Sequence, residues 1–461
     1  MDEEDGYPDT NRRSVGTGEP VTGSGASGLV RRLEDVARAS FLELFFDVVF
    51  VFALRALAQQ LLNNLTWSGA FQALVLLLAI GWVWSLTARV TGQLNPRRSP
   101  VQLMVIATMV GALVLSAAVP EAFGRTGLIF AVAYLAIQIG RSLFLVVLLR
   151  GQEVQRVAGR AAIWHAVTGV PWLVGAVASS GVRTALWTLA VVLIYAARWF
   201  SYPLPRLMRL GGAQVPAGGE FLAERNRALF VIGLGEVILA IGSSLTSRGF
   251  ATDRTVAFVL TFAVTALIWR IYIFRAGEDV GPAIGASANP DRLGTLASYA
   301  HLVMIAGLVV ASVGAQLVID DPLGHPRAIP TVTILGGTAL FLAGRILLEY
   351  LVFSHVSRSR VIGLVALACL LPPMLLLPPL INAFASGAVL TGIVIADNIR
   401  VRRHPHRSPH QVPTAPAAHD HRRRVDAFRR AGRTEAETEQ VGLKGGAVTC
   451  GRTLVGAVDT A

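Results

Sequence analysis

Residues 41–54 read Phe-Leu-Glu-Leu-Phe-Phe-Asp-Val-Val-Phe-Val-Phe-Ala-Leu, an apolar run that carries two carboxylates. Glu43 and Asp47 stand four positions apart, so in a helix they share one face. An ionisable group inside an apolar span is costly to desolvate, and by default it faces a partner or a wet cavity. The stretch has a counterpart 189 positions downstream. Arg38, Ala39, Phe41, Asp47 and Val48 align without a gap with Arg227, Ala228, Phe230, Glu236 and Val237. One deep acid in the first helix of each half predicts an all-α, polytopic transmembrane bundle of about 12 spans, built as two six-helix repeats.

Composition agrees. The chain has 461 residues, 53% hydrophobic and only 15% charged, with a mean hydropathy of +0.56. That is far from a soluble average, and the length leaves room for a dozen spans of about 20 residues. The net charge of +12 does not indicate nucleic acid, because the arginines gather in short loops and a tail rather than on one amphipathic face. The two cysteines, Cys369 and Cys450, define no disulfide framework. No apolar stretch precedes residue 41, so no cleavable signal peptide is expected.

Apolar runs fall at 41–62, 69–89, 101–119, 126–149, 161–178 and 184–202. A polar loop is expected at 203–227, and a second set of runs follows at 228–247, 254–275, 295–318, 329–352, 361–377 and 380–399. Pro372-Pro373 and Pro378-Pro379 interrupt the last two, which read either as a kinked hairpin or as a partly re-entrant segment. The organisation expected is a disordered segment over 1–30, transmembrane halves over 31–216 and 217–400, and a basic disordered tail over 401–461.

Arginine placement predicts orientation. With the N-terminus inside, Arg97, Arg98, Arg150, Arg156, Arg160, Arg206, Arg209, Arg225, Arg227, Arg275, Arg292, Arg358 and Arg360 face the cytoplasm. Only Arg125, Arg183, Arg248, Arg254 and Arg327 face away, a ratio of 13 to 5. Both termini are therefore expected in the cytoplasm, with the chain in the plasma membrane. Six spans per half is an even number, so the repeats would be parallel, related by an axis along the membrane normal.

Leu42-Glu43-Leu44-Phe45-Phe46-Asp47-Val48-Val49-Phe50-Val51 resembles the first-helix signature of the bacterial low temperature requirement A (LtrA) family. Glu224-Arg225, followed by Leu229-Phe230-Val231-Ile232 and Leu234-Gly235-Glu236, resembles that family's mid-chain motif. Tyr299-Ala300-His301-Leu302 is similar to its ninth-helix pattern, and the resemblance spans roughly 36–400. It implies a multi-pass membrane protein named for a growth phenotype rather than a reaction. A more distant similarity links Phe46-Asp47 to potassium channels that carry Phe-Ser-Asp in the first helix of each half. Here the Ser is absent, and the second half has Gly235-Glu236 instead.

The acids have two readings. Asp47, Glu236 and Glu43, with His301, line the path of a small ion or polar solute. Alternatively the acids staple helices to arginines such as Arg55, Arg89, Arg141, Arg198, Arg270 and Arg345, in a non-transporting assembly or scaffold protein. Glu43 lies near its helix start and suits stapling. Asp47 and Glu236 lie deeper, roughly 9–12 Å from the expected helix starts, and suit the path. Phe46, Arg38, Glu224, Arg225, Arg227 and Gly235 are the motif and partner positions, with Gly233 and Gly235 read as close-packing residues. His301 is read first as hydrogen-bonded to a neighbouring helix. His419-Asp420-His421 offers too few ligands for a metal, and no cofactor is indicated. No hydrolase elbow, phosphate-binding loop or zinc helix occurs, so no enzyme is expected, although Asp47 and Glu236 as an intramembrane catalytic pair remain open. The bilayer is the one partner implied, and oligomeric state is not encoded legibly.

Overall fold

In a computed structural model, residues 40–151, 153–200, 202–203 and 219–403 are described. They form twelve α-helices and, among the described residues, no strand. The helices are α1 (Phe41–Asn63), α2 (Trp67–Gln93), α3 (Ser99–Ala118), α4 (Gly127–Leu148), α5 (Glu153–Val177), α6 (Ser180–Trp199), α7 (Gly219–Arg248), α8 (Thr252–Gly285), α9 (Pro290–Asp320), α10 (Ala328–Phe353), α11 (Arg358–Met374) and α12 (Pro379–Arg403). Each coincides with one apolar run of the sequence. Among the described residues nine helices are long and apolar enough to cross a membrane. The other three are α1, which carries Glu43, Asp47 and Arg55, α5, and the 17-residue α11. The segments expected to be disordered, 1–30 and most of 401–461, lie outside the described residues.

Three local features correct the sequence reading. The polar loop expected at 203–227 does not extend that far, because α7 already begins at Gly219. Glu224, Arg225 and Arg227 are therefore helical: polar residues continue a helix when packing on its inner face satisfies them, which a hydropathy profile cannot register. Glu236 consequently lies about 26 Å from its helix start against about 9 Å for Asp47, not at matching depth. Second, α8 runs on to Gly285, well past the expected end at 275. Third, Pro372 and Pro373 fall in the last turn of α11, where they end that helix, and Pro379 opens α12.

The core centres on α2 and α9, the most buried of the candidate spans. α1 and α2 from the first half pack against α7 and α9 from the second. Contacts along the α1–α7 seam advance together: Asp47 meets Arg225, Leu54 approaches Gly233, and Arg55 meets both Glu236 and Ser243. The two helices therefore run in the same direction. α9 and α10 pack closest, backbone to backbone. A Cβ on Gly307 would stand 2.5 Å from the Phe341 nitrogen, and one on Gly337 would stand 2.5 Å from that of Ala311. Only glycine permits that approach, the small-residue packing common between membrane helices. In the first half Trp172 and Trp187 are fully buried with Phe130, locking α4, α5 and α6 together.

Burial also changes the arginine count. Arg225 and Arg360 are 0% and 3% exposed and held by carboxylates, while Arg183 is buried against the carbonyls of Ala122, Gly124, Gly175 and Ala176. Without these three the ratio is eleven to four, still in the same sense.

Candidate functional site

The α1–α7 seam holds both deep acids. Asp47 accepts from Arg225 Nη2 at 2.7 Å and from the indole Nε1 of Trp84 on α2 at 2.9 Å, both at Oδ1. The guanidinium of Arg225 sits 5.9 Å from the Phe46 ring and 5.9 Å from the Trp84 ring, and its side chain is 0% exposed. Three helices thus meet at one ion pair walled by two aromatic rings. The pair is single-pronged: Asp47 Oδ2 and Arg225 Nε and Nη1 make no hydrogen bond.

Glu236 has a different setting. Ser312 Oγ on α9 donates to its Oε1 at 3.0 Å, and Arg55 Nη1 on α1 stands 3.7 Å from the same oxygen. Arg55 spends its second amino group on Ser243 Oγ at 2.9 Å and keeps 24% of its side chain exposed. Glu236 Oε2 and Arg55 Nη1 make no hydrogen bond. The two acids do not meet. They take separate arginines, each supplied by the opposite helix, and eight residues of α1 (about 12 Å) separate Asp47 from Arg55.

The sequence profile of the bacterial low temperature requirement A protein matches residues 38–395. The chain belongs to the LtrA family. It is 32% identical over 368 residues to an uncharacterized protein of Rhizobium meliloti, an alignment covering 78% of this chain and 88% of that protein. No solved structure matches. The expected family resemblance is thereby shown, and with nine candidate spans the chain is a multi-pass helical membrane protein.

In this LtrA-family chain the remaining motif residues divide clearly. Glu43 caps α1: the Ser40 N–H donates to its Oε2 at 2.6 Å, and its own N–H donates to Ser40 Oγ at 3.4 Å. Ser40-x-x-Glu43 is a capping box, a signal present in the sequence but overlooked beside the more conspicuous carboxylate pair. Phe46 forms part of the wall around Arg225. Glu224 and Arg227 are half-buried on α7 and make no ion pair among the described residues, and Arg38 lies outside them. Gly233 is tightly packed, a Cβ there falling 2.8 Å from Leu308, whereas Gly235 faces open space and has no packing role.

His301 lies 2.8 Å from the Ala297 carbonyl through Nδ1 and 3.0 Å from the Tyr272 hydroxyl through Nε2. The carbonyl only accepts, so Nδ1 carries the proton and Nε2 accepts from Tyr272 on α8. Both ring nitrogens of this buried histidine are satisfied in the neutral form.

Two ionic clusters went unread in the sequence. Glu349 on α10 joins Arg345 at 3.2 Å and Arg360 on α11, and Arg360 reaches Asp397 on α12 at 3.4 Å. Ser359 Oγ donates to Asp397 at 2.8 Å, so this network ties the last three helices together. The second cluster joins α2, α6 and α9. Arg89 donates to Asp291 Oδ1 at 2.6 Å and to Thr295 Oγ1 at 2.9 Å, and Arg198 donates to Asp291 Oδ2 at 3.4 Å. These partners lie up to 206 positions apart, and no local pattern announces them.

Proposed function

We propose that the protein moves a small ion or polar solute across the bilayer, with Glu236 as the carboxylate at which the solute or a proton exchanges and Asp47–Arg225 as the fixed pivot of the same helix pair. The observation that carries this reading is the contrast at Glu236: its arginine stands 3.7 Å away and remains 24% exposed, where the arginine of Asp47 stands at 2.7 Å and is 0% exposed. A staple gains from a short, desolvated contact, because a buried charge without its partner is destabilising. An acid that must release and retake a partner gains from the opposite. The reading assigns no catalytic step and takes the lipid bilayer as the protein's only standing partner.

The twelve-span, two-repeat architecture with both termini in the cytoplasm is part of this proposal. It is supported by the shared direction of α1 and α7 and by matching neighbours in the two halves: α1 with α2 and α3, and α3 with α4, correspond to α7 with α8 and α9, and α9 with α10. It is also supported by the surviving arginine asymmetry.

A second reading, in which the acids serve assembly alone, is favoured at Asp47 by its 2.7 Å contact with a fully buried arginine. Flux of protons, common cations and small solutes into proteoliposomes, measured beside thermal stability for wild type and Glu236→Gln, separates the two. Native-like stability with lost flux supports exchange at Glu236. No flux from the wild type for any of these solutes leaves the assembly reading.

A further inference from the structure

A polar pocket of about 320 Å³ opens where α6 ends and α9 begins, lined by Arg198, Trp199, Asn289, Asp291, Arg292, Thr295 and Tyr299. That volume falls at the small end of the range for ligand sites, about 300–1,000 Å³. Its charge is unbalanced. Asp291 is the only carboxylate in the lining, and it is shared between Arg89 and Arg198. Arg292 lies over the Trp199 ring at 5.2 Å and has no carboxylate partner among the described residues. Three guanidiniums thus stand against one acid.

The surplus continues inward. The Tyr202 hydroxyl is buried without a hydrogen-bond partner, and its backbone holds the left-handed region at φ 56°, an uncommon strain for a non-glycine residue. Burial pushes this hydroxyl up from its ordinary pKa, while Arg198, Arg141 and Arg89 act in the opposite sense, so three guanidiniums lie within its electrostatic reach. Arg141, buried on α4, has neutral acceptors only: the Gln138 side chain, Thr87 Oγ1 at 2.6 Å and the Val83 carbonyl at 3.4 Å. Such an excess of largely desolvated positive charge is costly unless an anion offsets it.

We propose that this pocket binds a phosphate-class oxyanion, clamped by Arg198 and Arg292 with the Tyr299 hydroxyl as a further donor. Guanidinium forks match phosphate oxygens in two-pronged geometry. Tyr299 makes no hydrogen bond among the described residues, and the Arg292 guanidinium lies over the ring of Trp199, which also lines the pocket. The phosphate is the headgroup of an anionic lipid in the adjoining leaflet or that of a small soluble ester. Both present the same chemistry to the clamp. Occupancy ties α6 to α9, and through Asp291 and Arg89 to α2, so the anion would join the two halves at one end of the bundle.

The test uses the purified full-length protein. Thermal stability is followed against inorganic phosphate and glycerol phosphate, with chloride at matched ionic strength as control. In parallel it is compared in nanodiscs of phosphatidylglycerol and of phosphatidylcholine. A saturable rise with the soluble phosphates assigns a soluble ligand, and a rise confined to phosphatidylglycerol assigns the lipid. In either case Arg292→Gln, which breaks no ion pair, is expected to weaken binding about tenfold to a hundredfold, the value of a lost charged hydrogen bond. Arg292→Lys should restore part of it. A response to neither source, or one left unchanged by Arg292→Gln, overturns the proposal. Flux through Glu236 is a separate measurement, so either inference can fail alone.

Discussion

Asp47 and Glu236 occupy aligned sequence positions, yet the fold gives them opposite surroundings. Asp47 meets a 0% exposed arginine at 2.7 Å, whose guanidinium is walled by two aromatic rings, and takes a second donor from Trp84. Glu236 meets its arginine at 3.7 Å, takes its close hydrogen bond from a serine, and shares that partly exposed arginine with Ser243. The difference lies in the donors, not in the acids. Arg225 comes from the N-terminal extension of α7 and is fixed by packing, whereas Arg55 reaches across from α1 with room to move. Two like residues on like helices can therefore differ, one paired closely and the other loosely.

The contrast is most exposed to failure at Asp47. Asp47→Asn leaves Arg225 buried without its counter-charge and is expected to cost about 3–5 kcal/mol, read as a large fall in thermal stability and in folded yield. A near-neutral result would erase the distinction between the two acids. Trp84→Phe keeps the ring beside Arg225 but removes the indole donor, and should cost about 1.5–3 kcal/mol by the same measurement. Glu236→Gln releases only a 3.7 Å contact to a partly exposed arginine and keeps an acceptor for Ser312, so it should cost clearly less than Asp47→Asn, with flux abolished. If it destabilises as strongly as Asp47→Asn, both acids are staples. Smallest of all, Gly235→Ala on the open face of α7 should raise stability by up to about 1 kcal/mol through helix propensity, with flux unchanged.

The sequence located the seam but not its wiring. Aligning Arg38–Val48 with Arg227–Val237 drew attention to α1 and α7, and those helices do lie side by side. The same alignment placed the acids at equal depth, because hydropathy put the start of α7 nine residues too late. Arg225 was counted as a loop charge for the same reason. Nothing in the sequence marks Trp84, within an apolar run, as the second donor to Asp47. Gly235 was paired with Gly233 as a packing residue, and only the angular position of each on α7 separates them.

Periodicity, length and the near absence of charge over twelve runs were enough to determine an all-helical membrane protein, since the bilayer admits few other ways to satisfy a buried backbone, while the LtrA likeness rested on the motifs at Leu42–Val51 and Glu224–Glu236. The capping box at Ser40 and Glu43 was legible too, being written within four residues. Which arginine answers which acid was not. Asp47 and Arg225 lie 178 positions apart, and Arg89 and Asp291 lie 202 apart. Several buried arginines were equally eligible on sequence alone. Electrostatic pairing falls off over a few ångströms, so the choice belongs to helix rotation and register, and only the packed tertiary structure sets those.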